Sequence, residues 1–432
     1  MKVMRTRGRS ARETAAGIAR LENRGGAALE TVLPAVRRIV ADVRRGGDRA
    51  LLGYARKLDS LAARVSIRVS AEEMRAAWEA SAPSFRDALQ VAARRIRAFA
   101  ARQMPKSWTF KSSGVTTGQL VRPIASAGCY VPGGRHPLPS TLLMTVIPAQ
   151  TAGVERIAVA SPRPARETLA AAHLLGVEEF YRIGGAHAIS AFAYGTKSIG
   201  AVQRIVGPGN LYVTAAKALI ARDCSIDMLA GPTEIVVTSE RGDAAAIAAD
   251  LVAQAEHDPE TLAVFITTQE ELADAVLKEV KTRSRSNPVA RRSLQQNGFI
   301  VLASTVDEAR EITNRIAPEH LTVDSAEDLE WVRNAGSVFV GDWSAQPMGD
   351  YISGPNHTLP TGGMARVRGG LSVHDFVKIV TVQEYSREGI NTLGPQAAVL
   401  AKCEELIAHA EAIRLRVDRA SGSASRSRKP NG

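Results

Sequence analysis

A chain of 432 residues is longer than the ~250 to 300 residues over which a single core keeps growing, so two or more domains are expected. With 45% hydrophobic residues it has material for those cores, and no apolar run approaches the ~18 residues of a helical membrane span, so a membrane partner is excluded and solubility expected. The net charge of +11 raises the question of phosphate binding. Its basic residues are dispersed, however: Arg5, Arg7 and Arg9 lie at the start, Arg426, Arg428 and Lys429 in the tail, and Arg37, Arg38, Arg44 and Arg45 on the solvent side of one helix. A solvated basic surface is the expectation, with no nucleic-acid partner. Cys129, Cys224 and Cys403 are scattered and odd in number, and Met1 to Arg20 lacks an apolar stretch. Both features fit a reducing cytoplasm.

Along the chain, Val36, Ile39, Val40 and Val43 repeat at helical spacing and Gly46-Gly47 follows as a stop, so the first hundred residues read as mainly helical. After Tyr130 the pattern changes to short strands at 157–160, 179–183 and 203–206, alternating with helices over 165–175 and 186–193. A second series follows, with strands at 234–238, 263–267, 299–302 and 337–340 and helices at 244–255, 270–282 and 306–316. Such alternation is the rhythm of βαβ units and gives an α/β fold. From about Pro395 the chain is helical again, and residues 418–432 are too polar to pack, so they are expected to be a disordered tail.

Chemistry-bearing residues gather in the second series. Gln254 and His257 end a helix three residues apart, where side chains share a face. Downstream come Pro318-Glu319-His320-Leu321, the run Gly349 to His357 containing Asp350, and then Glu404 and His409. Taken singly, a helix-end glutamine and histidine are ordinarily surface or cap residues, and a Glu-His pair an ordinary loop. Together they offer the amide, imidazole and carboxylate donors that zinc accepts. Pro318 disfavours continuation of the preceding helix, which puts Glu319 and His320 on a turn. Glu404 and His409 are expected on one helix, about 140° apart. The run Gly207-Pro208-Gly209-Asn210-Leu211-Tyr212 has tyrosine where a dinucleotide fingerprint requires its third glycine.

Four longer motifs are collinear with these: Cys129-Tyr130-Val131-Pro132-Gly133-Gly134, Ile205-Val206-Gly207-Pro208-Gly209-Asn210, Ile226 to Pro232, and Leu359-Pro360-Thr361-Gly362-Gly363. In order and near-spacing the chain resembles the histidinol dehydrogenases from roughly Leu21 to Val417. The resemblance implies two incomplete Rossmann-like modules with small helical N- and C-terminal pieces, intertwined as a homodimer with shared active sites. It divides the chain into an N-terminal helical segment (1–24), a first α/β module in two parts (25–128 and 235–375), an inserted NAD-associated module (129–234), a dimer-crossing helical region (376–417) and the tail.

It also implies zinc, one per subunit, on Gln254, His257, Asp350 and His409, and Glu319 and His320 as the catalytic pair. Thr233, Gln254, His257, His320, Asp350, His357, Glu404 and His409 would contact substrate, and Tyr130, His187 and Asn210 would contact NAD. The reaction implied is the two-step oxidation of L-histidinol to L-histidine. A related enzyme acting on a sulfonated diol is the alternative, and Glu404 disfavours it because a carboxylate repels a sulfonate. Thr233 stands where serine is more common in the family and His187 where glutamine is usual.

Overall fold

The computed structural model describes residues 1–24, 29–133 and 137–422. Of the expected tail, 423–432 lie outside the described residues, whereas Asp418 to Ser421 continue a helix. The described residues divide into two compact units, one within 1–103 and 124–376 and the other within 104–123 and 377–422. None of its helices is long and apolar enough to cross a membrane.

The first unit begins with a strand, β1 (Lys2–Arg5), followed by α1 (Ala11–Glu22). That strand corrects the expectation of an all-helical N-terminal segment: four residues are too few to carry a period, and β1 gains its hydrogen bonds from a partner about 300 positions away. Then comes α2 (Leu29–Leu58), two helical stretches separated by the non-helical Gly47, at the stop expected from Gly46-Gly47. Gly47 takes φ 52°, kinks the chain, and the helix resumes. After β2 (Arg68–Val69) come α3 (Ala71–Glu79) and α4 (Pro83–Gln103).

The second unit contributes β3 (Trp108–Ser112) and β4 (Val115–Pro123) at this point of the chain. The first unit continues with β5 (Ser126–Tyr130), α5 (Pro139–Ala152), β6 (Arg156–Ala160), α6 (Arg166–Leu174), β7 (Glu179–Tyr181), α7 (Gly185–Tyr194), β8 (Arg204–Val206), α8 (Leu211–Ile220) and β9 (Ser225–Ile226). These strands form a six-stranded sheet of order β2-β7-β6-β5-β8-β9, parallel except for β2. The valines and isoleucine of α2, read as a core face, pack on it together with Ala158, Ala160, Tyr181 and Ile205. Residues 29–58 therefore side with this sheet, not with the second series as expected. An apolar face read from one helix does not say which sheet it will cover.

A second six-stranded, all-parallel sheet has the order β1-β12-β11-β10-β13-β14. Its strands are β10 (Glu234–Thr238), β11 (Leu262–Thr267), β12 (Gly298–Leu302), β13 (His320–Val323) and β14 (Ser337–Val340), with β1 at the edge. Between them run α9 (Ala244–Ala255), α10 (Glu270–Arg283), α11 (Pro288–Asn297) and α12 (Val306–Ile316). Residues of β10, β11 and β12 are buried on both faces, with Val236 and Val264 in one apolar cluster and Ile235 and Phe265 in the other, as a covered parallel sheet requires. A short α13 (Pro347–Tyr351) follows β14.

The second unit is completed by β15 (Val377–Tyr385), which joins β3 and β4 in an antiparallel sheet, and by the hairpin of α14 (Arg387–Cys403) and α15 (Ile407–Ser421). Within it Glu404 is the C-cap of α14 and His409 lies in α15. The expectation of one shared helix is thus corrected: Glu405 takes φ 61° and ends the first helix, so no 140° relation holds.

Candidate functional site

The residues singled out at the start of β13 meet at the amino ends of the second sheet. Helix α12 closes on Ala317 in a left-handed conformation (φ 50°), and Pro318 and Glu319 follow before the strand begins. His320 is the first residue of β13, not part of a turn, because the parallel ladder captures it opposite Ile235. Both members of the pair are anchored on the backbone of Glu234. Its N–H donates to Glu319 Oε2 at 2.8 Å, and its carbonyl accepts from His320 Nδ1 at 3.0 Å. A carbonyl only accepts, so Nδ1 carries the proton and Nε2 is left with its lone pair. That nitrogen lies 3.8 Å from Asp350 Oδ1.

Burial sets the protonation of the pair. It pushes the Glu319 carboxyl well above the usual carboxylate range, opposed by the Thr233 hydroxyl and the Glu234 N–H and reinforced by the Glu234 and Asp350 carboxylates. It lowers His320, although the Asp350 carboxylate and the Glu234 hydrogen bond pull the other way. The imidazole is therefore neutral at pH 7, as a proton acceptor must be.

Thr233 connects this pair to Gln254. Its hydroxyl donates to Glu319 Oε2 at 2.5 Å and accepts from Gln254 Nε2. Gln254, in the last turn of α9, is 1% exposed, and its Oε1 is buried with no hydrogen-bond partner among the described residues. An amide oxygen so placed is an unspent acceptor, the condition under which a bound cation is expected. His257 lies just past the helix and is exposed, its N–H returning to the Gln254 carbonyl at 3.2 Å. His357 donates from Nδ1 to the Asp350 carbonyl at 2.8 Å, and Thr141 Oγ1 stands 3.3 Å from its Nε2. Burial lowers its pKa, and His320 and His257 act in the same direction, so three imidazoles share one electrostatic neighbourhood.

A cavity of about 390 Å³ opens here, lined by His320, His357, Phe339, Trp343, Met348 and their neighbours. Glu404 and His409 belong to the second unit, where both are exposed. Among the described residues no three His, Cys, Asp or Glu side chains form a ready metal cage. Gln254, Asp350 and His257 nevertheless suit an oxygen-and-nitrogen cation site, on the strength of the orphaned amide oxygen.

Several contributors went unread in the sequence. Glu234 is the hub of the pair, and Gln346, 1% exposed, donates from Nε2 to Asp350 Oδ2 at 3.3 Å. Asp250 accepts from the Gln346 N–H at 3.4 Å, and burial pushes its carboxyl up to about 6. The polar position four residues before Gln254 on the same helix was the one available sign of Asp250. Nothing in the sequence marked Glu234.

Tyr130, His187 and Asn210 lie at the carboxyl edge of the other sheet. There the strand order reverses between β5 and β8, the position at which open parallel sheets receive ligands. Tyr130 ends β5, and Gly207, immediately after β8, comes so close that a Cβ would stand 2.1 Å from the Tyr130 carbonyl oxygen. Gly207 is gripped from both sides: its N–H by Asp227 at 2.7 Å and its carbonyl by the buried Lys217. Asn210 is exposed and caps α8, accepting from Tyr212 and Val213. Tyr130 and His187 are buried and already engaged. The Tyr130 hydroxyl accepts from Gly185 N–H, and burial raises its pKa to about 12. His187 Nε2 lies 2.7 Å from Asp59, which also accepts from Gly184 N–H at 2.9 Å.

Against known proteins, residues 22–417 match the family model described as histidinol dehydrogenase. A histidinol dehydrogenase of Methanothermobacter thermautotrophicus is 45% identical over 93% of this chain and 97% of its own length. One from Bacillus thuringiensis is 45% identical over 90% of this chain and 93% of its own. The crystal structure of histidinol dehydrogenase from Elizabethkingia anophelis superposes with a TM-score of 0.91 at 33% identity, covering 98% of this chain and 99% of that one.

Proposed function

The chain belongs to the histidinol dehydrogenase family, and on that premise we propose that it oxidises L-histidinol through L-histidinal to L-histidine, with two successive NAD molecules as hydride acceptors. The observation that carries this reading is the anchoring of Glu319 and His320 on one backbone residue, next to the unspent amide oxygen of Gln254.

A bound zinc ion would supply an anchor for the substrate's imidazole and amine, held by Gln254, His257, Asp350 and His409. His320 Nε2 takes the alcohol proton as hydride leaves the carbinol carbon. In the second step a water oxygen bonds to the aldehyde carbon and gives a proton to Glu319, while the C=O π pair moves to the carbonyl oxygen, which takes back the proton His320 acquired in the first step. A carboxylate with a raised pKa is the stronger base for that purpose. The resulting hydrate then loses its second hydride, with His320 again receiving the hydroxyl proton. Thr233 and His357 flank the substrate, and Glu404 accepts a hydrogen bond from one of its N–H groups. Confinement in the cavity keeps the aldehyde from escaping between steps.

The finer architecture belongs to the same proposal: two incomplete Rossmann-like modules, and a homodimer in which Glu404 and His409 come from the partner. Exposure of both side chains supports that role. NAD is assigned to the crevice between β5 and β8, with Asn210 at its open rim and Tyr130 and His187 shaping its wall. The decisive experiment is NADH formation on L-histidinol against a panel of diols that includes a sulfonated one, alongside elemental analysis. Two NADH per histidinol and one zinc per subunit are expected. Preference for the sulfonated diol, or full activity without metal, would overturn the reading.

A further inference from the structure

We propose that Arg24 is a positioning residue for the Glu319–His320 pair, a role that rests on the dehydrogenase reading above. Arg24 follows α1, far from either residue in sequence, yet its guanidinium reaches their surroundings. Nε donates to Glu234 Oε1 at 2.6 Å and Nη2 to Oε2 at 2.5 Å, a bidentate fork. Nη1 donates to the carbonyls of Leu21 at 2.6 Å and Ile316 at 2.7 Å, and Nη2 reaches the Ala317 carbonyl at 3.4 Å.

These contacts bracket the catalytic pair. On one side, Glu234 offers its backbone N–H to Glu319 and its carbonyl to His320. On the other, Ile316 and Ala317 end the helix that leads into Pro318, Glu319 and His320. One planar cation therefore fixes the residue that receives the pair and the turn that delivers it. The Glu234 carboxylate is held a third time by the Gly362 N–H at 2.8 Å, so its backbone has little freedom to shift. Arg24 and Glu234 side chains are only 14% and 4% exposed, and neither residue lines the cavity. A lysine would keep the charge and lose the fork.

A buried ion pair that serves packing alone is replaceable by apolar residues of similar volume with little loss. The double variant Arg24→Met/Glu234→Met therefore separates the two roles. With zinc-loaded enzyme, Arg24→Met should lower kcat on histidinol and on supplied histidinal on the order of 10²-fold, the cost of displacing a reacting group by about 1 Å. KM for both substrates should stay within about threefold, because Arg24 contacts none of the residues assigned to substrate. Arg24→Lys should recover part of the loss. In the double variant the melting temperature should return towards the parent's while kcat stays low.

Recovery of kcat together with the melting temperature would overturn the proposal, as would a folded Arg24→Met at parental kcat. If Arg24→Met fails to fold, the Arg24→Lys and double variants carry the same comparison. Failure of the dehydrogenase reading is separately visible, since the unaltered enzyme would then produce no NADH from histidinol.

Discussion

Replacing Thr233 with valine should move the pH dependence of aldehyde oxidation upward and leave that of alcohol oxidation nearly in place. Thr233 supplies the largest of the effects that lower the Glu319 pKa against its burial. Valine keeps the volume and removes the hydroxyl, so burial persists while one of the two hydrogen bonds to Oε2 disappears. A hydrogen bond to a charged group contributes roughly 1.5 to 3 kcal/mol. At about 1.36 kcal/mol per pH unit, the Glu319 pKa should rise by about one to two pH units. A raised carboxyl holds its proton to higher pH, so the limb on which activity appears with base moves up. Stopped-flow NADH formation from supplied histidinal between pH 5 and 10 reads that limb. Thr233→Ser, which keeps the donor, should track the parent. Because Gln254 Nε2 also loses its acceptor, zinc content is measured on the same samples. An unmoved limb at parental zinc content, or one moving down, refutes the reasoning.

His320→Asn should slow both half-reactions by ~10² to 10⁴-fold, whereas Glu319→Gln should injure chiefly the histidinal step; equal losses on both substrates for Glu319→Gln would remove its separate role. Asp250, pushed up from 3.8 to about 6 by burial, keeps its proton in the folded chain at pH values where the unfolded chain has lost it. Its contribution to stability therefore falls as pH rises from about 4 to about 6 and is constant above. Asp250→Asn should accordingly gain ~1 kcal/mol at pH 8, discounted for the carboxylate's partial exposure, and little at pH 4; an equal gain in melts at both values contradicts this. Refolding His257→Ala with His409→Ala, each inactive alone, should return about a quarter of parental activity if sites are shared across a two-fold dimer. No recovery despite demonstrated heterodimers would count against sharing.

What the sequence made legible were the elements whose period is local. The strands 234–238 and 337–340 and the helices 244–255 and 306–316 fall where alternation and helical spacing put them. Elements defined by remote partners escaped. The strand β1 exists because β12 offers its edge, and β13 went unseen because Pro318 reads as a turn signal even though the ladder begins two residues later. The sheet of β3, β4 and β15 escaped because β3 and β15 carry no buried residue in this chain and so lack an alternating apolar face. At the site, residue types with strong chemistry announced themselves, as Gln254, His257, Glu319 and His320 did. Glu234 and Arg24 did not, since a glutamate and an arginine that act through backbone placement look like any charged pair.

The two six-stranded sheets reverse strand order in the same way, yet their edges differ in charge. In the sheet that ends in β9, the crevice between β5 and β8 lies at the carboxyl ends, with Asn210 capping a helix whose N-terminus favours negative charge. The equivalent crevice of the other sheet, between β10 and β13, is already filled by acids. Asp324 accepts from the Glu240 N–H at 2.8 Å, and the Glu240 carboxylate takes the N–H and hydroxyl of Thr268 and the amide of Gln269. Backbone donors that would receive a phosphate are spent there on carboxylates, and the carboxylates repel another anion. Chemistry in that sheet is instead gathered at the amino ends, where Thr233, Glu234, Glu319 and His320 meet. On the proposed assignment, one topology used twice holds a nucleotide at one sheet and the catalytic pair at the other, because charge, more than strand order, decides which edge each sheet uses.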